Sequence, residues 1–428
     1  MTTLTTPTTP PKTIENLPRR HLLKGSASAL AAVGLGGMTL KAAVADAVPA
    51  GAVAPVATAI APKPLPAYVA WKDPSAMIIH TSSTLETKRS AFGTSVVTPN
   101  EQVYIRNNLP APGPEVVADR DGWEIAVEGV NAAKTAPQKL TVKQLKTMGL
   151  ETTAMVLQCS GNGRGLFPSK PSGTPWQVGA AACVVWSGVP VRQVAEALGG
   201  VASGMVYMTA TGGEKLPDGL DPKSVMVERS VPLKAMGDAL LAWEMNGVPI
   251  ALAHGGPLRL IVPGYNGVNN VKYIKRLAFT LEQSDAAIQK IGYRMAPPGQ
   301  KGDPSQPSVW EMSAKSWINS PAPELGAVPA GMVQIKGVGF GGLNAVKAIE
   351  VSIDGGKTWK EARLVGPDLG KYAWRQFALA VQLRAGPAVL MSRVIDSQGT
   401  VQAEGRLENA GGYSNSSWRD HALQINVV

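Results

Sequence analysis

Residues 156–165 have the sequence Val-Leu-Gln-Cys-Ser-Gly-Asn-Gly-Arg-Gly. The apolar start predicts a strand, and the closely spaced glycines predict a tight turn directly after it. Such a turn can expose the thiolate of Cys159 to a ligand, with Arg164 five residues farther along the chain. The stretch by itself is equally compatible with a buried core cysteine beside an ordinary loop.

The sequence around this stretch predicts a mixed α+β domain over residues 67–295. Strand-like apolar runs alternate with helix-like stretches, and this alternation is typical of such a domain. The strand-like runs are 123–130, 153–158 and 205–209, and the helix-like stretches are 142–148 and 191–198. Polar, proline-bearing sequence at 295–308 then indicates a domain boundary.

The C-terminal part predicts an all-β domain over residues 309–428. Strand-like runs at 333–338, 345–353, 372–379 and 388–395 are separated by turns such as Asp354-Gly355-Gly356. Short strands at this spacing, with few helical patterns between them, are typical of an immunoglobulin-like β-sandwich.

Residues 1–47 resemble a twin-arginine export signal. Arg19-Arg20 precedes an uncharged run from Gly25 to Leu40, and small-residue cleavage sites follow at 43–47. The run is rich in Gly and Ala and is short for a membrane span, which needs ~20 residues. We therefore expect cleavage rather than an uncleaved anchor, a linker over 48–66, and a periplasmic mature protein without a membrane span.

The net charge of the whole chain is +10. Residues 1–45 carry five basic residues against one acidic residue, which leaves about +6 for the rest of the chain. This surplus is scattered, and no zinc-finger or helix-turn-helix pattern accompanies it, so we expect no nucleic-acid partner. An anionic ligand or an acidic partner fits the charge better.

Cysteine and histidine are scarce. Cys159 and Cys183 are the two cysteines, and only His80, His254 and His421 remain after removal of the signal. These are too few for an iron-sulfur cluster or a zinc site, and no Cys-x-x-Cys-His haem attachment is present. A disulfide between the two cysteines is an alternative in an exported protein, but core packing accounts better for Cys183 in its apolar strand.

Gln158-Cys159-Ser160-Gly161-Asn162 resembles the metal-ligand motif of the sulfite oxidase family. Further segments resemble that family in the same order, and 315–318 and 352–359 are similar to its dimerisation domain. Those segments are Tyr104-Ile105-Arg106-Asn107-Asn108-Leu109-Pro110, Leu240-Leu241-Ala242-Trp243-Glu244-Met245-Asn246-Gly247, His254-Gly255-Gly256-Pro257-Leu258-Arg259, Val262-Pro263-Gly264 and Val271-Lys272-Tyr273. The resemblance covers roughly residues 70–428 and implies a sulfite-oxidase-type molybdopterin-binding domain followed by the all-β domain.

The resemblance implies one pyranopterin dithiolene cofactor, with Cys159 as the soft protein ligand to molybdenum. It also implies cofactor contacts by Tyr104, Arg106, Asn107, Asn108, Asp221, His254, Arg259, Asn270, Val271 and Lys272. Arg106 and Arg164 would bind an oxyanion near the metal, and Trp243 would stand where the family has a catalytic tyrosine.

The function implied is oxidation of sulfite to sulfate, with electrons passed to a separate c-type cytochrome because no haem, flavin or iron-sulfur cluster is expected on this chain. The second domain allows a homodimer. Two alternatives stay open. In the first, the enzyme oxidises another sulfur oxyanion or reduces an S-oxide, because Asn108 replaces the usual histidine and Trp243 replaces the usual tyrosine. In the second, the chain is a non-enzymatic exported binding protein.

Overall fold

The structure is a computed structural model that describes residues 63–93, 95–133 and 136–428. The predicted export signal, and the predicted linker up to residue 62, lie outside the described residues. From Pro62 to Val428 the chain forms one compact unit, so the boundary predicted between 295 and 309 stays a prediction. Within the described ranges, no helix is long and apolar enough to cross a membrane.

Helices are few and short. The α-helices are α1 Val142–Leu145, α2 Val191–Ala197, α3 Pro222–Val225 and α4 Ala287–Lys290. Short 3-10 helices lie at Ala67–Val69, Pro74–Ala76, Arg89–Ala91, Asn100–Gln102, Pro114–Val117, Asn131–Ala133, Arg164–Leu166, Leu233–Gly237, Leu252–His254, Gly267–Asn269 and Pro323–Leu325. Local chemistry starts α1: the Thr141 hydroxyl accepts from the Gln144 N–H, and the Gln144 side chain accepts from the Thr141 N–H.

Three sheets form the N-terminal part. Their strands are β1 Met77–Thr81, β2 Thr84–Thr87, β3 Ile105–Arg106, β4 Glu124–Glu128, β5 Gln138–Thr141, β6 Glu151–Gln158, β7 Ala181–Pro190, β8 Tyr207–Thr211, β9 Glu228–Pro232, β10 Leu240–Met245, β11 Val248–Pro249, β12 Arg259–Ile261 and β13 Arg276–Thr280. The sheet orders are β1-β2-β3, β11-β10-β7-β6 with β12 also paired to β10, and β5-β4-β13-β8-β9. The β4–β13 pair is parallel, whereas the other pairs are antiparallel.

Two four-stranded antiparallel sheets form the C-terminal part, in the orders β14-β15-β19-β18 and β17-β16-β20-β21. Their strands are β14 Lys315–Ser320, β15 Gly331–Phe340, β16 Val346–Ser352, β17 Lys360–Glu361, β18 Arg363–Val365, β19 Arg375–Leu383, β20 Gly386–Asp396 and β21 Leu423–Val427. Buried and exposed residues alternate along β21, as expected when one face of a strand packs on a core. The predicted α+β class and all-β C-terminal part are confirmed, with strand starts shifted by two to three residues at β8 and β19.

A hydrophobic core joins the two parts. Val156 and Cys183 are paired across β6 and β7, and both pack in one cluster with Trp317, Phe340 and Trp374. Both cysteines are free thiols, so the disulfide alternative is wrong. Cys183 is fully buried in this cluster, which confirms its interpretation as a packing residue.

Candidate active site

Segments far apart in sequence meet around one cavity. Most of the residues predicted from the sequence line it together: Tyr104, Arg106, Asn107, Asn108, Cys159, His254, Arg259, Asn270, Val271 and Lys272. Their convergence agrees with the predicted site, while the individual roles stay predictions.

Cys159 begins a tight turn, residues 159–163, at the end of β6; we call it the Cys159 turn. The Cys159 N–H donates to the Ala180 carbonyl at 2.9 Å, which continues the pairing of β6 with β7. The Asn162 N–H then donates to the Cys159 carbonyl at 2.9 Å and closes the turn. Gly163 has φ +85°, a conformation that favours glycine. The strand thus delivers the thiol to the cavity wall, where it is 8% exposed.

Basic side chains form another part of the cavity wall. Arg259 donates from Nε to the Asn270 carbonyl at 3.1 Å and from a terminal nitrogen to the His254 carbonyl at 2.9 Å. Lys272 Nζ donates to Asn107 Oδ1 at 2.5 Å and to the Ala253 carbonyl at 2.7 Å. These bonds hold both cations at the cavity through neutral acceptors.

The basic side chains of this wall form no direct ion pair with any described residue, although Glu214 is close enough to counteract part of the lowering of the Lys272 pKa. In the described part of the chain, neither Arg106 nor Arg259 nor Lys272 has a carboxylate oxygen within 4.0 Å. Burial lowers the pKa of Arg259 to about 10 and holds the pKa of Lys272 well below its usual value. Buried cations without a partner are unfavourable, so the wall fits an anionic ligand that supplies the missing charge.

Glu214 lines the cavity and was missed by the sequence analysis. Its carboxyl group is buried, which raises its pKa to about 7. Its Oε2, like the hydroxyl of Ser160 in the cavity wall, has no hydrogen-bond partner among the described residues. These unpaired polar atoms beside basic donors and a thiol fit a ligand that combines a heteroatom-rich ring, a phosphate and a soft metal.

Tyr293 also lines the cavity and was also missed. It stacks on Tyr413 with a ring-centroid distance of 5.1 Å and an interplanar angle of 22°. On this stack lies Arg164, whose guanidinium carbon is 5.4 Å from the Tyr413 ring centroid. Tyr293 has φ +50°, so the backbone makes a sharp local turn there.

Arg164, which packs on the Tyr413 ring, does not line the cavity. Its Nε donates to the Gly411 carbonyl at 2.8 Å, and a terminal nitrogen donates to the Thr174 carbonyl at 3.0 Å. Two of its donor positions are therefore committed to backbone, which leaves fewer for an anion. Its predicted role in anion binding stays a prediction, whereas Arg106 reaches the cavity directly.

Trp243 does not lie beside Cys159, contrary to its predicted placement. Its ring packs against the core below the sheet and faces the exposed Lys146, with Nζ 6.0 Å from the ring centroid. The pairing of β10 with β7 is irregular at this residue. The side chain of Trp243 therefore does not follow the regular alternation of sheet faces that its neighbours along the strand show. Tyr104 and Tyr293 line the cavity, whereas Trp243 does not.

Asp221 is likewise absent from the cavity. It is exposed and caps α3, accepting from the Lys223 N–H at 3.1 Å. This is the ordinary role of an aspartate before a proline at the first helical position. The carboxylate that the structure places in the cavity is Glu214 instead.

The comparisons with known proteins agree with this geometry. The "Oxidoreductase molybdopterin binding domain" model matches residues 111–288, and the "Mo-co oxidoreductase dimerisation domain" model matches residues 306–427. Sulfite oxidase of Gallus gallus is 32% identical over 341 residues, which cover 75% of this chain and 72% of that protein. Mitochondrial sulfite oxidase of Rattus norvegicus is 30% identical over 354 residues, which cover 78% of this chain but only 62% of the rat protein.

Among solved structures, the sulfane dehydrogenase SoxCD from Paracoccus pantotrophus shares the fold, with a TM-score of 0.67 and 24% identity over 82% of this chain and 88% of that one. The sequence relatives and both family models extend the likeness from fold to family. They also exclude the alternative of a non-enzymatic binding protein. The chain belongs to the sulfite oxidase family and is a molybdopterin-dependent oxidoreductase.

Proposed function

We propose that this enzyme oxidises sulfite to sulfate and passes the two electrons to a separate c-type cytochrome in the periplasm. The observation that carries the proposal is the placement of the Cys159 thiol in one cavity with Arg106, Arg259 and Lys272, none of which forms a direct ion pair among the described residues. When bound, the molybdenum cofactor supplies the two-electron redox centre and the oxygen atom for such a reaction. Overall, sulfite and water would give sulfate, two protons and two electrons.

The cavity residues suit the tasks that the cofactor does not perform itself, which are to hold the cofactor, to bind the substrate and to transfer a proton. The soft sulfur of Cys159 would hold the metal, while Lys272 and Arg259 would hold the anionic part of the cofactor. Arg106 donates to the Asn107 carbonyl at 2.5 Å and keeps further N–H groups to bind the substrate oxyanion. The phenol of Tyr293 would donate or accept a proton beside the bound anion.

Location and partners rest on separate observations. The export signal predicted at residues 1–47 supports a periplasmic enzyme, and the absence of a haem-attachment motif from the sequence supports a separate cytochrome as acceptor. The match to the dimerisation-domain model supports a homodimer.

The test is an assay of the purified protein with sulfite and ferricyanide, together with its molybdenum content. Sulfite-dependent reduction that disappears in Cys159→Ser supports the proposal. Full molybdenum loading with sulfite turnover at background contradicts it. Cell fractionation and reduction of a periplasmic cytochrome c by sulfite in the presence of the enzyme test the location and the acceptor.

One observation favours a second candidate, the oxidation of a different sulfur oxyanion or the reduction of an S-oxide. Asn108 lines the cavity, and its amide cannot take up a proton near neutral pH as the histidine usual at this position can. Assays with thiosulfate and with dimethyl sulfoxide, run on the same loaded protein, separate the two candidates. Turnover of either compound above the sulfite rate would favour the second.

A further inference from the structure

Lys315, the first residue of β14, is a buried lysine that contacts the Cys159 turn from the C-terminal part of the chain. It is 1% exposed. Its Nζ donates to the Asn162 side-chain oxygen at 2.5 Å and lies 3.3 Å from the Asn162 backbone carbonyl. The ammonium group therefore binds both oxygens of one residue in the turn.

Asn162 is the residue that closes this turn. Its N–H donates to the Cys159 carbonyl at 2.9 Å, and its side-chain amide donates to the Val178 carbonyl at 2.8 Å. With Lys315, every polar group of Asn162 has a partner. Asn162 thus links the Cys159 carbonyl to the Val178 carbonyl, beside the direct bond from the Cys159 N–H to the Ala180 carbonyl, and loss of the Lys315 ammonium would leave the two oxygens of Asn162 without their donor.

The charge of Lys315 has no close counter-charge. No carboxylate oxygen of the described residues lies within 4.0 Å of its Nζ, and both of its acceptors are neutral. Burial lowers the pKa of Lys315 to about 7, and among the groups that act in the opposite direction Cys159 comes first, ahead of Asp420 and Glu86. Among the acidic groups near Lys315, Cys159 thus has the largest opposing effect on the Lys315 pKa.

Two aromatic side chains near Lys315 carry no negative charge. The buried ring of His421 lies near enough for Lys315 to contribute to lowering its pKa, second to burial itself. The Trp317 ring centroid is 6.0 Å from Nζ. A buried ammonium in such surroundings is unfavourable unless it stabilises a charge elsewhere.

We propose that Lys315 is a positioning residue of the molybdenum centre, which holds the Cys159 turn through Asn162 and supplies a buried positive charge that favours the reduced metal. Reduction adds negative charge to the centre, so a nearby fixed cation stabilises the reduced form more than the oxidised form. The inference rests on Cys159 as the metal ligand, but not on sulfite as the substrate.

The experiment measures the Mo(VI)/Mo(V) midpoint potential of the purified full-length holoenzyme by dye-mediated titration with dithionite, followed by the Mo(V) electron paramagnetic resonance signal. Lys315→Met should lower the potential, so that the oxidised-to-reduced ratio at the wild-type midpoint rises at least about threefold, as expected for one charge in a low-dielectric interior. Lys315→Arg keeps the charge and should restore the wild-type potential. Lys336→Met removes an exposed lysine from the neighbouring strand β15 and should leave the potential unchanged.

Lys315→Gln replaces Lys315→Met in the same titration if the methionine variant does not fold. The proposal is overturned if the neutral variants have the wild-type midpoint potential at full molybdenum content. It is also overturned if the midpoint potential of Lys315→Arg shifts as much as that of the neutral variants. Because dithionite replaces the substrate, a lack of sulfite turnover leaves this result intact and counts only against the proposed function. A wild-type protein without molybdenum would instead overturn the metal site and this inference with it.

Discussion

Lys72 Nζ lies 2.9 Å from His254 Nε2 in the wall of the cavity. The same side chain donates to the backbone carbonyls of Asn100 and Val103, each at 2.5 Å. Burial lowers the pKa of Lys72 to about 6, so near neutral pH the side chain is largely an amine, and either it or His254 Nε2 can donate the hydrogen bond between them. Burial, and after it the charge of Lys72, holds the pKa of His254 well below its usual value, so the ring is neutral.

Lys72→Met should destabilise the protein by about 1–3 kcal/mol, because two buried carbonyls and the imidazole lose their hydrogen-bond partner. It should also lower the molybdenum content, since His254 is no longer held in the cavity wall. Thermal unfolding and metal analysis of the purified protein check both effects. Lys143→Met, at an exposed lysine, is the matched control. Equal melting temperature and metal content in Lys72→Met and wild type would show that the pair is unimportant.

Cys159→Ser should fold and yet lose turnover, because an alkoxide or a neutral hydroxyl is a poor replacement for thiolate on molybdenum. Cys183→Ala is the matched control, because burial raises the pKa of the Cys183 thiol to about 12 and keeps it protonated in the core. That variant should keep the specific activity per molybdenum. The assignment of the ligand fails if Cys159→Ser keeps full turnover.

Arg106→Gln should raise the KM for an anionic substrate about tenfold or more, since a charged hydrogen bond contributes roughly 1.5–3 kcal/mol. The difference from wild type should shrink as salt screens the charge. Arg384→Gln, an exposed arginine in the C-terminal part, controls for net charge. Steady-state kinetics at two ionic strengths provide the measurement, and an unchanged KM in Arg106→Gln would exclude it from the anion site.

The residues found from the sequence are those carried by contiguous motifs at the ends of strands. Cys159 follows β6 directly, and the loops that bear His254 and Lys272 lie on either side of β12. In such motifs the short distance along the chain largely determines which side chains meet. Sequence reasoning was therefore sufficient for most of the predicted residues that line the cavity and for the α+β and all-β parts.

The residues that sequence reasoning misplaced or missed depend on long-range packing. Trp243 sits at an irregular position of β10, where the alternation of faces cannot be extrapolated from its neighbours. Tyr293 lies in an irregular segment just before the proline-bearing stretch that predicted a boundary, and its position depends on Tyr413 more than a hundred residues later. The sequence contains only weak signals for these two cavity residues. Tyr293 follows Gly292, and Glu214 follows the pair Gly212-Gly213.

The substitution Glu214→Gln should stabilise the folded protein, relative to wild type, more strongly as the pH rises. The folded protein keeps the proton of Glu214 up to a pKa of about 7, whereas the unfolded chain loses it near 4.5. The folded state thus binds more protons between these values, and wild-type stability falls across that window. In protein prepared without molybdopterin, the melting temperature of the variant minus that of wild type should rise from pH 5 to pH 8. Glu361→Gln, at an exposed carboxylate, should show no such trend.

Tyr293 and Trp243 allow a paired test of which aromatic residue serves the reaction. Tyr293→Phe removes the phenol from the cavity while keeping the ring stacked on Tyr413, so kcat should fall by ~10²-fold where proton transfer limits turnover. The KM and the molybdenum content should change little. A slow product release would reduce the effect on kcat, and single-turnover reduction of the enzyme by substrate avoids that complication.

Trp243→Tyr is the reciprocal change, because it adds a phenol at the position that the sequence analysis expected beside the metal. The ring faces exposed Lys146 rather than the cavity, so the added hydroxyl should leave kcat within about twofold of wild type and should affect stability alone. The same single-turnover assay applies to both variants. If Trp243→Tyr accelerates turnover while Tyr293→Phe leaves it unchanged, the placement of these two side chains is wrong, and the proton route must run along β10. If instead Tyr293→Phe slows turnover and Trp243→Tyr leaves it unchanged, the proton route runs through Tyr293. A substitution of Tyr413, which stacks on Tyr293, should then alter the orientation of the Tyr293 phenol.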